Sequence, residues 1–313
     1  MDWLLCIAIA VFASACGIFI DNYISGQYFK CHEANAQKSF YWFPFILIGI
    51  ISVIIGILAF GDVNLAEIPI WTLILFIISG ACTSIAGIFY YKALEVSEST
   101  DYGIFAQLSP VFYLILGMIF LNQEINTHQF IAFIIIFAAP ILILLTTKKR
   151  SRHLRMRAVF YTILDILIDT SGAIMFVKFS NADINFAVQI GFVFIGKGIG
   201  NLIIMLANPK WRKRYRYVVK SSNRKVYLPL FGSLLASLFN TYARNIALVL
   251  APSVAIASAI TDSTRPILIF FLGLLFTLLW PKFGREKMSK KVILVHLIAT
   301  VLVVVGICLI QCD

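Results

Sequence analysis

Stretches of about 20 predominantly apolar residues, the length of helix that spans the hydrocarbon of a bilayer, recur about ten times along this chain. They predict helices over 3–26, 39–60, 70–91, 100–121, 127–147, 157–180, 184–206, 226–249, 253–280 and 291–311. Hydrophobic residues make up 60% of the 313 and charged ones only 13%, a balance that no soluble domain of this size can bury. The chain is therefore expected to be an all-α polytopic membrane protein. The opening "MDWLLCIAIAVFASACGIFI" has neither a basic region before its apolar run nor a small-residue cleavage site, so it is expected to be a retained helix.

The formal charge of +11 would suggest nucleic acid in a soluble protein, but its distribution argues against that partner here. Lys30 and Lys38 follow the first helix and Lys92 the third. Six basic residues lie in "KKRSRHLRMR" (148–157), eight in 208–227 and five in 281–291. Thus 22 of the 26 Lys and Arg fall in alternate connections. The opposite connections, "FGDVNLAEIP", "NQEINTH", "SNADI" and "LAPS", contain none, and Lys178 is the one basic residue beside them. This asymmetry predicts basic loops in the cytoplasm, both termini outside, and anionic headgroups of the inner leaflet of the plasma membrane as lipid partners.

The six cysteines show no metal or pairing pattern, and no metal or cofactor is expected. No Walker-type phosphate loop is present, which removes ATP hydrolysis by this chain. Asp165 and Asp169 lie four apart on one helix, without the opposed geometry of an aspartyl dyad, so an intramembrane hydrolase is disfavoured. The chain is not expected to be an enzyme.

Self-comparison shows an internal repeat. "SPVFYLILGMIF" (109–120) aligns without gaps on "RPILIFFLGLLF" (265–276), matching Pro110 to Pro266, Gly117 to Gly273 and Phe120 to Phe276. A fainter match sets 12–25 on 167–180 and pairs Gly17 with Gly172. Five helices per half, an odd number, would make the second half enter the membrane from the opposite face. Such inverted repeats build alternating-access carriers. The expected organisation is a first repeat over 1–147, a basic cytoplasmic linker over 148–156 and a second repeat over 157–313.

The segment "YYKALEVSESTDYGIFAQLSPVFYLILGMIFLNQEI" (90–125) resembles the EamA-like branch of the drug/metabolite transporter superfamily, running from an Ala-Leu pair through a mid-helix Pro to the helix end. Asn122, Gln123 and Glu124 stand where that pattern usually ends in Gly-Glu. The resemblance implies a ten-helix basket in which helices one to four and six to nine line a central cavity, with five and ten peripheral. It also implies export rather than import. Members of the family commonly keep both ends in the cytoplasm, whereas the Lys and Arg distribution here predicts both outside.

Charged residues inside the apolar stretches identify the candidate site. Burying one at the bilayer centre costs from about 3 to more than 10 kcal/mol, so it persists only facing a partner or a wet cavity. Asp262 and Arg265 in "SAITDSTRPILIFF" are three apart and can pair, and Pro266 beside them is expected to open the helix toward a cavity, as Pro110 is in the first half. Asp169, Lys197, Asn240 and Arg244 fall at overlapping depths. Gln107, Ser109, Thr83 and Tyr102 are the first-half candidates, with Tyr90 and Tyr91 as further polar residues there. Gly80 and Gly87 are expected to allow close helix approach. Asp21 and Asn22, near the cytoplasmic end of the first helix, read as interfacial. Asp165 and Asp169 share a face and are candidates for proton coupling, or for simple pairing with Lys197 or Arg244. Three acids and three bases in the second half balance, which fits either a salt-bridged plug or a pocket for a substrate of both charge signs.

The expected function is a secondary transporter, an exporter, of a small polar or zwitterionic metabolite such as an amino acid. The alternatives are a carrier of amphipathic cations or lipid-linked sugars, and a non-transporting membrane scaffold; a homodimer is compatible with either class.

Overall fold

The computed structural model describes residues 2–27, 40–60, 68–96, 108–124, 126–146, 152–180, 184–210, 212–213, 215 and 227–279, together with ten positions between 294 and 309. Among them the regular structure is entirely helical: α1 Trp3–Gln27, α2 Trp42–Phe60, α3 Ile70–Val96, α4 Ser109–Leu121, α5 Thr127–Thr146, α6 Arg152–Phe179, α7 Phe186–Ala207, α8 Tyr227–Leu250 and α9 Val254–Leu279. The described positions of the last apolar stretch are helical as well. Trp3–Asp21, Ile70–Ala93, Met156–Phe179 and Phe186–Ala207 are each long and apolar enough to cross a membrane. Helices suit that solvent because each satisfies its own backbone where water is absent. Large apolar side chains such as Leu58, Ile70 and Leu228 stand outward, an inversion of soluble proteins that lipid contact explains.

Pro110 stands in the first described turn of α4, where a missing N–H is harmless, and residues 97–107 ahead of it lie outside the described ones. One expected feature differs: Pro266 does not divide α9, which is one element from Val254 to Leu279. A membrane helix tolerates one lost backbone hydrogen bond without unwinding when its neighbours hold it. α6 begins at Arg152, within the basic segment 148–156.

The helices join chiefly across the two halves of the chain. α1 packs on α8, α6 on α3, and α7 is wedged between α2 and α3. Glycines make the α7 seams possible. A Cβ at Gly80 would lie 1.9 Å from the Val193 carbonyl oxygen, and one at Gly196 2.0 Å from that of Ile77. Gly191 and Gly49 meet in the same way between α7 and α2. Lipid tails provide no hydrophobic drive between helices, so backbone contact of this kind is what associates them.

The face carrying the short connections is closed. Cys6, Val11, Tyr113, Phe133, Leu248 and Val254 belong to one buried cluster there. Gln123 Oε1 accepts from the Val254 N–H at 3.2 Å and from Ser253 Oγ at 3.3 Å, joining the end of α4 to the start of α9. Asn122 makes this turn with φ 51°, the left-handed conformation that glycine favours and asparagine tolerates best among the rest. Asn thus supplies the backbone shape of the Gly at which the resembled pattern ends. Gln123→Ala is expected to destabilise this latch by about 1 kcal/mol, read as a modest drop in thermal unfolding temperature.

Candidate functional site

A cavity of about 300 Å³ opens among eight of these helices, within the size range of small-molecule sites. α1, α2, α3, α4, α6, α7, α8 and α9 contribute to its wall, and α5 adds no described residue. Counting about 1.5 Å of rise per residue from the helix ends on the closed face, Arg244 lies at about 9 Å and Asp262 at about 12 Å. On the same count Asp169, Lys197 and Arg265 lie at about 15–17 Å, Asp165 at about 21 Å, Asp21 at about 27 Å and Tyr90 at about 30 Å. The charged lining residues therefore run from about 9 Å above the closed-face helix ends toward the face of the basic loops, and the apolar cluster seals the other side.

Two ion pairs form the floor. Arg244 Nη1 donates to Asp169 Oδ2 at 2.9 Å, joining α8 to α6, and its Nη2 donates to the Tyr113 hydroxyl of α4. Arg265 Nη2 lies 3.1 Å from Asp262 Oδ1, while Ser258 Oγ donates to the other carboxylate oxygen at 2.9 Å. These side chains keep some contact with the cavity, at 21% and 24% exposure for the first pair. The guanidinium forks are thus held in place while part of each faces open space.

The wall above is polar and aromatic. Lys197 Nζ donates to Thr241 Oγ1 at 2.7 Å and lies 5.5 Å and 5.9 Å from the ring centroids of Phe194 and Phe45. That combination holds an ammonium group by a hydrogen bond and by ring quadrupoles. Asp21 accepts from Ser233 Oγ at 2.6 Å. Among the described residues, Asn201 Oδ1, Asn240 Oδ1 and Arg265 Nε are buried polar atoms with no protein partner, and all three residues line the cavity. Unsatisfied buried polar atoms cost free energy, and three of the five such atoms among the described residues belong to side chains of this one hollow.

Of the residues expected from sequence, Asp165, Asp169, Lys197, Asn240, Arg244, Asp262, Arg265, Ser109 and Thr83 come together in this one cavity. Gln107 and Tyr102 lie outside the described residues. Asp165 and Asp169 both face the hollow, and it is Asp169 that pairs with Arg244. Sequence reasoning misses Tyr41, Asn201 and Ser233 as lining residues, and it sees in Tyr90 and Tyr91 only polar residues of the first half. Asp21, interfacial by its place near a helix end, lines the cavity instead. The signal that would have found it is its serine partner on α8, which no spacing within α1 reveals.

A second, apolar groove runs between α1 and α8, lined by Phe12, Ala13, Ala236 and Phe239. It offers no polar group and faces the lipid side of that helix pair.

Residues 3–145 match the model of the EamA-like transporter family, as the sequence resemblance implied. Solved structures share the fold: 27 chains match, and one crystal structure superposes over 97% of this chain and 94% of its own length, with a TM-score of 0.66 at 14% identity. At that identity the likeness establishes the fold alone, and it does so for both halves. No curated protein matches the chain.

Proposed function

We propose that this chain, an EamA-like transporter unit over residues 3–145, is a ten-span secondary carrier that moves a small polar or zwitterionic metabolite outward by alternating access. One observation carries the reading. A single hollow, walled by helices of both halves and floored by charged groups, reaches the basic face while the opposite face is latched. A scaffold has no use for buried charge kept beside open space, because desolvating such groups is costly and packing them apolar would stabilise the fold more.

Alternating access follows if the halves are inverted repeats. Exchanging helices one to five with six to ten turns the α1–α8 contact into α6–α3 and the α1–α9 contact into α6–α4, and all four packings are present. The same exchange turns α3–α7 into α8–α2. The first is packed backbone to backbone, whereas α8 and α2 meet through Tyr242 and Ser52 toward the closed face and both line the hollow nearer the basic one. The broken symmetry supports a state open to one side, whose counterpart would part α3 from α7. With the basic loops cytoplasmic and both termini outside, this state receives substrate from the cytoplasm. Asp165 and Asp169 remain the candidates for carrying a coupling proton.

Purified protein in proteoliposomes should show saturable flux of a zwitterionic solute. Single replacement of Lys197 by Ala should reduce it by about tenfold or more, the effect of one lost charge-assisted contact. A scaffold would lose stability on such substitutions without flux ever being seen.

A further inference from the structure

Tyr113 is fully buried, and its ring belongs to the sealed cluster with Cys6, Val11, Leu248 and Val254. Its hydroxyl accepts from Arg244 Nη2, and the guanidinium carbon lies 5.8 Å from the ring centroid. Arg244 itself lines the hollow, so this contact links the open cavity directly to the seal beneath it. α4 packs chiefly on α6 and α9, and α8 reaches it through the long Arg244 side chain. The two partners of the guanidinium also differ in kind. Asp169 belongs to the same half of the chain as Arg244, whereas Tyr113 belongs to the other.

The internal repeat shows that this tie is one-sided. The Ala-Leu pair at 93–94 matches the one at 247–248, which sets Tyr90 against Arg244, and the ungapped match of 109–120 on 265–276 sets Tyr113 against Ile269. Tyr90 lines the hollow about 9 Å from the basic end of α3, and Arg244 stands about 9 Å from the opposite end of α8. In a state open to the other face, Arg244 would take the place that Tyr90 has now, beside a mouth, with the seal around Tyr113 parted. Ile269 has no polar group, so the matched pair supplies no equal tie to hold that second state. An interaction gained in one of two states sets their populations.

We infer that Tyr113, which stands behind the cavity wall, is a gating residue: acting through Arg244, its hydroxyl holds the empty carrier open to the basic face and keeps the opposite face shut. This deepens the carrier reading and rests on it. A hydrogen bond to a charged group is enough to shift such an equilibrium by about tenfold. Tyr113→Phe removes that bond and keeps the ring that fills the cluster. Arg244 retains about a fifth of its surface on the hollow, so water can take up the freed N–H and the fold is spared an orphaned donor.

Cys6 supplies the reporter for the test, a native thiol fully buried in the same cluster and within a turn of the closed-face end of α1. With Cys6 as the sole cysteine, in sealed vesicles of known orientation, a membrane-impermeant maleimide is applied from the face opposite the basic loops. The parent is expected to react slowly and Tyr113→Phe about tenfold faster. A loosened cluster would also bare Cys6, so the measurement is repeated in proteins carrying Asn201→Cys, after a bulky maleimide has first been attached at position 201 from the basic-loop side. That adduct props the hollow open, and the two faces of an alternating carrier do not open together. The gain in Cys6 labelling should therefore disappear in the propped protein. Should Tyr113→Phe fail to fold, Arg244→Lys is the second variant: its single ammonium keeps Asp169 paired without the fork that reaches the hydroxyl, and the same rise is expected. Equal rates in parent and variant, or a gain that persists in the propped protein, overturn the inference and leave the carrier reading standing. If Cys6 stays unreactive in every variant and no solute of a broad panel moves, the carrier reading fails, and this inference with it.

Discussion

Replacing Arg244 with leucine should abolish transport and destabilise the protein by about 2–4 kcal/mol. The substitution strands the Asp169 carboxylate and removes the donor to the Tyr113 hydroxyl, so two polar groups lose their partner at once. A fully enclosed pair would cost more, about 3–5 kcal/mol, but both side chains keep roughly a fifth of their surface open to the cavity, and water can compensate in part. The double variant Arg244→Leu with Asp169→Leu separates structure from function. Removing both charges avoids the stranded carboxylate, so thermal stability should return toward that of the parent. Flux should not return, because the Arg244–Asp169 half of the floor no longer presents charge to the substrate. If the double variant transports normally, the pair is a structural tie and not part of the site.

Gly196→Val should have the second large effect, a loss of folded protein. The new Cβ would sit 2.0 Å from the Ile77 carbonyl oxygen, and the obstacle is backbone, which cannot rotate away. Retreat is blocked on the next turn as well, where Gly200 would place a Cβ 3.2 Å from the Ala81 Cα. Ordinary overpacking costs about 1–3 kcal/mol, and a wedge between two backbones belongs at or beyond the top of that range. Gly17→Ala is the control. Its Cβ would meet the Ala236 methyl at 3.4 Å, an ordinary contact, so expression and unfolding temperature should hardly change.

The contrast between these two predictions also explains what can be read from sequence. Deep charges are legible because they are expensive in lipid: Asp169, Arg244, Asp262 and Arg265 announce a cavity or a partner wherever they sit. Their depth follows from counting along each helix, but which helix faces which does not. Pairing of Asp169 with Arg244 rather than with Lys197 depends on rotation about the helix axes, set by the glycine seams of α7. Those seams are written in "GKGIG", where the lysine is the more conspicuous residue and the glycines fix the geometry. The α3 side of the contact, Gly80, is legible as a close-approach position, but its partner on α7 is not.

Helix limits are legible to within a few residues for most elements, since apolar runs end where polar connections begin. The exception is chemical. Arg152 and Leu154 extend α6 into the basic segment because long unbranched and leucine side chains propagate a helix well. Asp21 misleads for another reason. A charge near a helix end reads as interfacial, yet α8 brings Ser233 against it and turns it into the lip of the cavity.

Accessibility of position 201 to a membrane-impermeant thiol reagent tests the central claim most directly. The experiment uses an Asn201→Cys variant in which Cys6, Cys16 and Cys82, the free thiols of the described helices, are replaced with the remaining cysteines. In sealed vesicles of known orientation, the account predicts labelling from the side of the basic loops, slowed by saturating substrate. An introduced thiol that stays unlabelled from that side, in a folded variant whose basic-loop control cysteine does react, would contradict a cavity open to that face.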